Sequence, residues 1–348
     1  MSTPAAGPVT GLVIAVNRQM VEVLLPDGRV ERCRLHGRYR DPQRHGEGVV
    51  VGDRALLGHP PIPPSPGLPV PPRPVVGIAP RQSVLRRHLT SRLDHHAHVD
   101  LTVAANLDVC LVVASHRAPA FRPGVADRLL AVARAAGIPP LLVLNKCERI
   151  PPADIDPILA PYRAAGVEAV SVSALEGDGI PALRARLAGR LAVLLGASGV
   201  GKSALTSALS PCSAPVVGAV SEARLRAGRG RHTTVSSRLY PLPQGGFVID
   251  TPGIRSLGLA DGASAADAFP DIAALASGCR FADCTHGQEP GCAVRAALAE
   301  GRLAPQAYRG FLRVAGDLGD RPVGRGPAGP GGRTGRGARR DAGDGPQG

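Results

Sequence analysis

The sequence predicts a multidomain protein with a small N-terminal β-barrel, a central α/β domain and a mostly α-helical C-terminal segment. Three observations indicate this division. Short strand patterns with turn signals fill residues 9–57, apolar strands alternate with helical patterns from Leu107 onwards, and residues 259–316 are mostly helical in pattern. The length of 348 residues suits two or three domains.

The N-terminal part predicts five short strands. The stretch VTGLVIAV alternates in polarity, Pro26-Asp27-Gly28 is a hairpin signal, and GVVVGDRALL closes the run. Five such strands suit a barrel of the OB type, although any small β domain fits the same pattern. A proline-rich stretch follows from Pro60 to Pro74, and we expect it to be a stiff linker.

The central part predicts a parallel sheet with helices on both faces, because continuous apolar strands that alternate with helices are typical of this architecture. The expected strands are 108–114, 140–145, 167–173, 191–196 and 247–250, and the expected helices include 124–136 and 179–188. We therefore divide the chain into residues 1–75 (barrel and linker), 76–258 (α/β domain), 259–316 (helical domain) and 317–348 (basic tail).

Charge and composition narrow the functional classes. The net charge is +13 with a pI near 10.4, which favours a polyanionic partner such as nucleic acid. Aromatic residues are only 3% and Trp is absent, which argues against an extended base-stacking surface. The chain shows neither a membrane-spanning apolar stretch nor a secretory signal, so we expect a cytoplasmic protein with no membrane partner. The tail from Arg321 carries six Arg and two Asp among Gly and Pro, and we expect it to be disordered.

A phosphate-binding loop is the strongest motif. The stretch GASGVGKS follows an apolar strand and opens a helical pattern, as the GxxxxGK[ST] motif requires. Backbone N–H groups of such a loop surround phosphates, Lys202 would reach the β and γ oxygens, and the Ser203 hydroxyl would bind Mg²⁺. The candidate phosphate ligands are Gly196, Ala197, Ser198, Gly199, Val200, Gly201, Lys202, Ser203 and Ala204.

Two further segments indicate which base is bound. Asn145-Lys146-Cys147-Glu148 ends an apolar strand and is similar to the NKxD guanine motif, and Ser173-Ala174-Leu175 ends the next strand and is similar to the SAK loop that supports the base. A carboxylate at position 148 would accept guanine N1–H and N2–H, a donor pair that adenine lacks. We expect Asn145, Lys146, Glu148, Ser173 and Ala174 to contact the base.

The stretch Asp250-Thr251-Pro252-Gly253 matches DxxG at the end of an apolar strand. Its aspartate would hold Mg²⁺ and the Gly253 N–H would contact the γ-phosphate. Upstream, Thr233 or Thr234 in GRGRHTT could complete the Mg²⁺ shell, as a switch-loop threonine does. An ordinary loop threonine is the alternative reading.

The order of these motifs is permuted. A usual GTPase runs from the phosphate loop through the switch threonine and DxxG to NKxD and SA. This chain starts with the base motifs and continues to the phosphate loop, the threonines and DTPG. The site can persist in space because all its loops lie at one edge of the sheet. The DTPG segment now leads directly into the C-terminal helical segment.

That segment contains Cys279-x4-Cys284-x-His286-x5-Cys292. Three thiolates and an imidazole satisfy a tetrahedral Zn²⁺ ion with no open position, which favours a structural zinc. The alternative is a set of unmetallated cysteines in a helical region. By contrast, His88, His95, His96 and His98 lie in a loop-like stretch without such framing, and we expect them to be surface histidines.

Together these residues resemble the ribosome small subunit-dependent GTPase A family over about residues 10–315. The resemblance rests on VGD, SVLRR, GASGVGKS, GRGRHTT, DTPGIR and CRFADCTH…EPGCAV in the permuted order. It implies an OB domain, a circularly permuted GTPase domain and a zinc domain, with GTP or GDP, Mg²⁺ and one structural Zn²⁺ bound. It also implies late maturation of the small ribosomal subunit through contact with its rRNA, and GTP hydrolysis stimulated by that subunit. We expect the protein to act as a monomer.

Several features qualify this picture. Glu148 stands where the family has Asp, which can lower guanine affinity and favours a second hypothesis, an rRNA-binding factor with weak or no turnover. Ile254 follows DTPG where many GTPases carry a water-orienting Gln, so His232 or an rRNA group is a candidate to position the water. A third hypothesis is a P-loop ATPase with a zinc module. Five arginines around the switch loop are rRNA-contact candidates or a solvated cationic loop; they are Arg224, Arg226, Arg229, Arg231 and Arg238.

Lysine usage supports an intact nucleotide pocket. Of the 41 basic residues only Lys146 and Lys202 are lysines, and both fall inside nucleotide motifs. A narrow loop between phosphate oxygens needs a compact ammonium, and a base face needs an alkyl stem, so Arg does not replace Lys at these positions.

Overall fold

The N-terminal strands form a closed five-stranded barrel in this computed structural model, which describes residues 9–16, 20–35, 48–59, 72–90, 98–211, 238–250 and 264–318. The strand order around the barrel is β1-β2-β3-β5-β4. The strands are β1 (Val9–Val16), β2 (Met20–Leu24), β3 (Val30–Leu35), β4 (Arg54–Leu57) and β5 (Pro74–Ile78). The predicted barrel is confirmed, although its fifth strand, β5, lies beyond residues 9–57, where the sequence predicted all five.

Alternation of side chains builds the barrel interior. Val13, Val21 and Cys33 are fully buried, and the neighbours of Val21 and Cys33 along their strands are more exposed. In β1 the next residue, Ile14, is also buried, because it packs in the core of the central domain. The β2–β3 turn has Gly28 at φ 83°, a left-handed conformation that glycine adopts without strain. Pro74, expected at the end of the linker, instead begins β5, which pairs with β3 and runs on to Ile78.

A hairpin of β6 (Val84–Thr90) and β7 (His98–Ala105) connects the barrel to the central sheet. The expectation of a loop-like stretch is wrong for His88 and His98, because His88 pairs with Asp100 and His98 with Thr90 in this ladder. Charged and polar residues hide the strand periodicity here. His95 and His96 lie outside the described residues.

The central sheet has six strands in the order β10-β9-β8-β11-β13-β12, all parallel except for the antiparallel edge strand β12. Its strands are β8 (Val109–Ser115), β9 (Pro140–Asn145), β10 (Glu168–Ser171), β11 (Leu191–Leu195), β12 (Arg238–Pro241) and β13 (Phe247–Asp250). The helices between them are α1 (Pro123–Ala135), α2 (Pro152–Ala164), α3 (Ile180–Leu187) and α4 (Lys202–Leu209). Separate apolar clusters cover the two faces of the sheet, as expected for a doubly covered α/β domain.

Four helices lie in the described residues 264–318, where the first and the last of them pack on α1 and the last also packs on α2. They are α5 (Ala265–Ala268), α6 (Pro270–Ala276), α7 (Ala293–Ala299) and α8 (Pro305–Leu318). Phe269 and Phe311 meet edge to face at 5.9 Å in this helical domain. Asp127 of α1 accepts hydrogen bonds from Gln306 Nε2 (3.0 Å) and Arg313 Nη1 (2.5 Å) of α8, which ties the helical domain to the sheet.

The VGD segment joins the barrel to the central domain. A Cβ on Gly52 would lie 2.0 Å from the Ala105 carbonyl oxygen, so only glycine allows this approach. Asn106 Nδ2 donates to the Gly52 carbonyl (2.9 Å), and the buried Asp53 carboxylate accepts from Arg81 Nε at 2.7 Å. None of the helices that the structure describes has the length and apolar character needed to span a bilayer.

Candidate functional site

The phosphate loop runs from the end of β11 into the first turn of α4. Gly199 and Gly201 have φ of 83° and 95°, in the left-handed region. A Cβ on Gly196 would lie 2.3 Å from the Val113 carbonyl oxygen, and one on Gly201 would lie 2.4 Å from Asn145 Nδ2. The glycines are therefore needed both for the backbone conformation and for close packing against the neighbouring strand ends.

Lys202 lies folded over this loop. Its Nζ donates to the carbonyl oxygens of Gly196 (2.7 Å) and Ala197 (2.8 Å). Burial lowers the pKa of Lys202, and the charge of Asp250 opposes that shift, so the carboxylate at the end of β13 acts on the ammonium. Ser203 is exposed at the start of α4. The ammonium, the hydroxyl and the carboxylate thus belong to one edge of the sheet.

Asn145 links the base motif to the phosphate loop. The residue is 1% exposed at the end of β9, its Nδ2 donates to the Val200 carbonyl (3.0 Å), and its Oδ1 accepts from the Ala174 N–H (3.1 Å). One side chain therefore connects three segments that the sequence places in different parts of the chain.

Lys146 makes a second connection. Its backbone is left-handed at φ 67°, and its Nζ donates to the Gly199 and Ala118 carbonyls, both at 2.6 Å. Ala118 lies in the loop after β8, which the sequence analysis did not include in the site. No motif marks this loop in the sequence, because it contributes main-chain groups that any residue supplies.

Glu148 is held on both carboxylate oxygens. Ser173 Oγ donates to Oε2 at 2.7 Å, and Arg149 Nε lies 3.5 Å from Oε1. The Ser173 hydroxyl also accepts from the Glu176 N–H at 2.9 Å, which fixes its direction. The longer side chain of Glu148 therefore still meets the SA loop, with Ser173 as the anchor.

Part of the expected site cannot be placed. Gly253, Thr233, Thr234 and His232 lie outside the described residues, as does Ile254. The same holds for Arg224, Arg226, Arg229 and Arg231, whereas Arg238 begins β12.

The four predicted metal ligands converge in the helical domain. One ligand atom from each of Cys279, Cys284, His286 and Cys292 lies within 4.8 Å of all the others. His286 Nδ1 is 3.5 Å from Cys279 Sγ and 3.6 Å from Cys292 Sγ, and the two sulfurs are 3.9 Å apart. Ligands at about 2.0 and 2.3 Å from a tetrahedral Zn²⁺ ion would be separated by roughly these distances. The donor set and the spacing therefore fit a metal ion.

Residues around the cluster fix its geometry, and no motif in the sequence marks them. Tyr308 of α8 donates its hydroxyl to the His286 carbonyl at 2.7 Å, and the Phe311 ring lies 5.6 Å from the imidazole. Burial raises the pKa of Cys284 to about 12 and lowers that of His286. Hydrogen bonds from Thr285 lower the pKa of Glu289 to about 2. The same bonds fix the chain between the metal ligands. Tyr308 and Phe311 belong to a helix whose sequence pattern shows only an amphipathic face.

Comparisons with known proteins place these features in a family. A family model described as RsgA GTPase matches residues 78–260. A protein of Gemmatimonas aurantiaca named small ribosomal subunit biogenesis GTPase RsgA is 35% identical over 311 residues, covering 89% of this chain and 97% of the relative. A protein of the same name from Pseudomonas putida is 37% identical over 319 residues, covering 88% of this chain and 85% of the relative.

Two solved structures share the fold. YjeQ from Thermotoga maritima superimposes with a TM-score of 0.66 at 24% identity, covering 90% of this chain and 99% of that one. YloQ, described as a circularly permuted GTPase, has a TM-score of 0.64 at 22% identity, with coverage of 92% and 98%. Both support the arrangement of barrel, central sheet and C-terminal helices.

Proposed function

Because the chain belongs to the RsgA GTPase family, we propose that it binds the small ribosomal subunit and assists its late maturation. In this role it hydrolyses GTP to GDP and phosphate, and contact with the subunit stimulates the reaction. The names of the Gemmatimonas and Pseudomonas relatives support the partner, and the similarity extends over most of both chains.

The observation that carries this proposal is the position of Asn145. Its amide bonds the Val200 carbonyl of the phosphate loop and the Ala174 N–H of the SA loop. A base motif that lay far from the phosphate loop would give no nucleotide site in a permuted chain. The contact supports a single pocket in which base and phosphates are held together.

The segments that follow β9 and β10 recognise the base in this pocket. The Glu148 carboxylate accepts guanine N1–H and N2–H, and Ser173 orients it. The Lys146 stem covers one ring face while its ammonium holds the Gly199 carbonyl. The Ala174 main chain approaches the base edge beside Asn145. Adenine offers the partly buried Glu148 carboxylate no such pair of donors, which lowers its affinity relative to guanine.

Phosphate binding falls to the phosphate loop. Its inward N–H groups, from Gly196 to Ala204, surround the phosphates, and Lys202 moves from the loop carbonyls to the β and γ oxygens. The Ser203 hydroxyl and Asp250 carboxylate are hard oxygen ligands that fit Mg²⁺. In the triphosphate state Thr233 or Thr234 would add a further oxygen ligand to Mg²⁺, and the Gly253 N–H would contact the γ-phosphate. Bound Mg²⁺ neutralises the developing negative charge on the phosphates.

Hydrolysis requires that a water molecule be positioned. Its oxygen bonds to the γ-phosphorus as the bond from phosphorus to the β–γ bridging oxygen breaks. GDP leaves with that electron pair, and a water proton passes to the phosphate product. His232 is the candidate group for orienting this water, because Ile254 cannot do so. A His232→Ala variant with undiminished subunit-stimulated turnover would exclude it.

The Cys/His cluster serves a structural role in this proposal. Three thiolates and one imidazole would hold Zn²⁺ with no open coordination position, and because all four ligands lie between α6 and the start of α7, the metal would close this segment into a fixed loop. The net charge of +13 supports contact with rRNA phosphates, which predicts a steep loss of subunit binding with added salt. We propose a cytoplasmic monomer as the working form.

Turnover assays test the proposed function. Phosphate release from GTP is measured with the full-length protein alone, with purified small subunits and with large subunits as the control. We expect slow hydrolysis by the protein alone and a large increase with small subunits only. Phosphate release that small subunits do not change would refute the enzyme reading.

One observation favours the second candidate, an rRNA-binding factor with weak or no turnover. Arg149 and Ser173 already engage both oxygens of Glu148, so fewer lone pairs face the base. The turnover assay with small subunits separates this candidate from the GTPase, because the binding factor predicts no stimulated phosphate release. Equilibrium binding of GDP, GTP and ATP to the wild type and to Glu148→Asp tests base selectivity, and ATP binding equal to GTP would indicate a P-loop ATPase.

A further inference from the structure

A cavity beside the phosphate loop is lined by one arginine side chain to which the proposed mechanism gives no role. The cavity has a volume of about 330 Å³ and lies between the end of β8, the N-terminal half of α1 and the phosphate-loop residues Ala197, Ser198 and Val200. Its walls are mostly apolar, and Arg122 is the only charged residue among the described lining residues.

The backbone of Arg122 is fixed. It immediately precedes α1, and its carbonyl accepts the N–H groups of Val125 (3.0 Å) and Ala126 (3.2 Å). Its side chain is exposed, and no carboxylate or hydrogen-bond acceptor within the described ranges pairs with the guanidinium. The backbone of Arg122 is therefore fixed at the mouth of the cavity, and within the described ranges no carboxylate pairs with its guanidinium.

The loop that carries Arg122 is attached to the phosphate loop. Lys146 Nζ bonds the Ala118 and Gly199 carbonyls together, and a Cβ placed on Gly199 would lie 3.5 Å from Pro119 Cδ. The stem of Arg122 thus starts from a segment that packs against the phosphate loop.

Both lysines of the site bind main-chain carbonyls. Lys202 and Lys146 each donate to two carbonyl oxygens of this region. Because Lys146 lies on the base side, Lys202 is the one side-chain cation that the proposed mechanism assigns to the phosphates beside Mg²⁺, so the added negative charge of a γ-phosphate can be stabilised by a further cation.

We propose that Arg122 binds the γ-phosphate of the bound nucleoside triphosphate and stabilises the charge that develops there during hydrolysis. This inference rests on the proposed function. A guanidinium presents a planar pair of N–H donors that matches two phosphate oxygens, and an arginine supplied from the same chain is a known source of rate enhancement in phosphoryl transfer. Arg122 keeps its proton throughout, and the bond changes are those given above.

Binding of two nucleotides tests the assignment. GDP and a non-hydrolysable GTP analogue are titrated into the full-length wild type, Arg122→Ala, Arg122→Lys and the control Arg117→Ala. Arg117 is an exposed arginine of the same loop that does not line the cavity. We expect Arg122→Ala to lose roughly 10- to 100-fold in affinity for the analogue, the size of one hydrogen bond to a charged group, with GDP affinity unchanged. Arg122→Lys should lose less, and Arg117→Ala nothing.

Turnover supplies the second readout. Subunit-stimulated hydrolysis should fall on the order of 10³-fold in Arg122→Ala, the lower end for a catalytic arginine. Equal losses for GDP and the analogue would show a merely structural role and overturn the inference, as would unchanged binding and turnover. If the wild type hydrolyses GTP and Arg122→Ala hydrolyses it and binds the analogue equally well, only this inference is refuted. If the wild type binds no guanine nucleotide, the proposed function is refuted as well.

Discussion

Replacing Asp53 with Ala should destabilise the junction between the barrel and the central domain. The carboxylate is fully buried, its Oδ1 accepts from Arg81 Nε (2.7 Å), and its Oδ2 accepts from Arg81 Nη2 (2.9 Å) and from the Val50 N–H (2.9 Å). The Arg81 side chain is only 10% exposed. Removing the carboxylate therefore takes from a nearly buried guanidinium the two oxygens that accept from its Nε and Nη2.

Breaking one partner of a buried ion pair costs about 3–5 kcal/mol, because the remaining charge stays desolvated. Arg81→Ala should cost a similar amount, because it removes the counter-charge of the fully buried Asp53 carboxylate. The double variant leaves neither charge isolated, so its loss should be smaller than the sum of the two by about 2 kcal/mol or more.

Amide hydrogen exchange measures this loss locally, which avoids assuming two-state unfolding of a multidomain chain. The informative amides are those of Val13, Gly52 and Ala105, whose hydrogen bonds to the Asp53, Val13 and Val51 carbonyls lie at the junction. The control is Glu300→Ala, which breaks an ion pair with Arg302 that is 56% exposed on both sides. An exposed pair contributes at most about 1 kcal/mol. An Asp53→Ala effect no larger than the control, or strictly additive single effects, would refute the reasoning.

Three further predictions concern the site and the helical domain. Asn145→Asp should weaken GDP binding roughly 10- to 100-fold in a fluorescence titration, because a carboxylate cannot donate to the Val200 carbonyl; equal affinity would contradict this. Cys284→Ser should abolish stoichiometric zinc in the purified protein, whereas Cys147→Ser, outside the cluster, should retain it; zinc retained in both variants would disprove the site. Burial raises the pKa of Asp127 despite its pair with Arg313. The folded protein therefore binds the carboxyl proton more tightly than the unfolded chain does, and the contribution of Asp127 to stability falls as the pH rises above the ordinary pKa of the carboxyl. The thermal stability of Asp127→Asn relative to wild type should therefore improve as the pH rises above 3.8, the ordinary pKa of the carboxyl, and a difference that stays constant with pH would be the opposing result.

Local patterns account for most of the fold. The strand PLLVLN and the strand FVID were expected at 140–145 and 247–250, and the structure has them at Pro140–Asn145 and Phe247–Asp250. Buried parallel strands are recognisable because both faces need apolar residues. The β6–β7 hairpin was missed because its ladder pairs arginines and histidines, whose polarity conceals the strand period. Helix α2 carries Pro157 and Pro161 inside its span, so its helical pattern is weak in the sequence.

The candidate site divides in the same way. Glycine, lysine, cysteine and histidine at fixed spacing identified the phosphate loop and the metal ligands, because that chemistry tolerates few residue types at those positions. Groups that act through the main chain left no trace in the pattern. The Ala118 carbonyl that binds Lys146 is one example, and the His286 carbonyl that binds Tyr308 is another.

The sequence by itself determined the domain classes, the permuted order of the motifs and the identity of the residues able to bind nucleotide and metal. Only the tertiary structure decided that the permuted segments meet, because the contact of Asn145 with Val200 joins residues 55 positions apart. It also decided that Arg122 faces the cavity beside the phosphate loop. The physical reason is that parallel strands bring their carboxyl ends to one edge of the sheet, so proximity at that edge depends on strand order and packing and not on position along the chain.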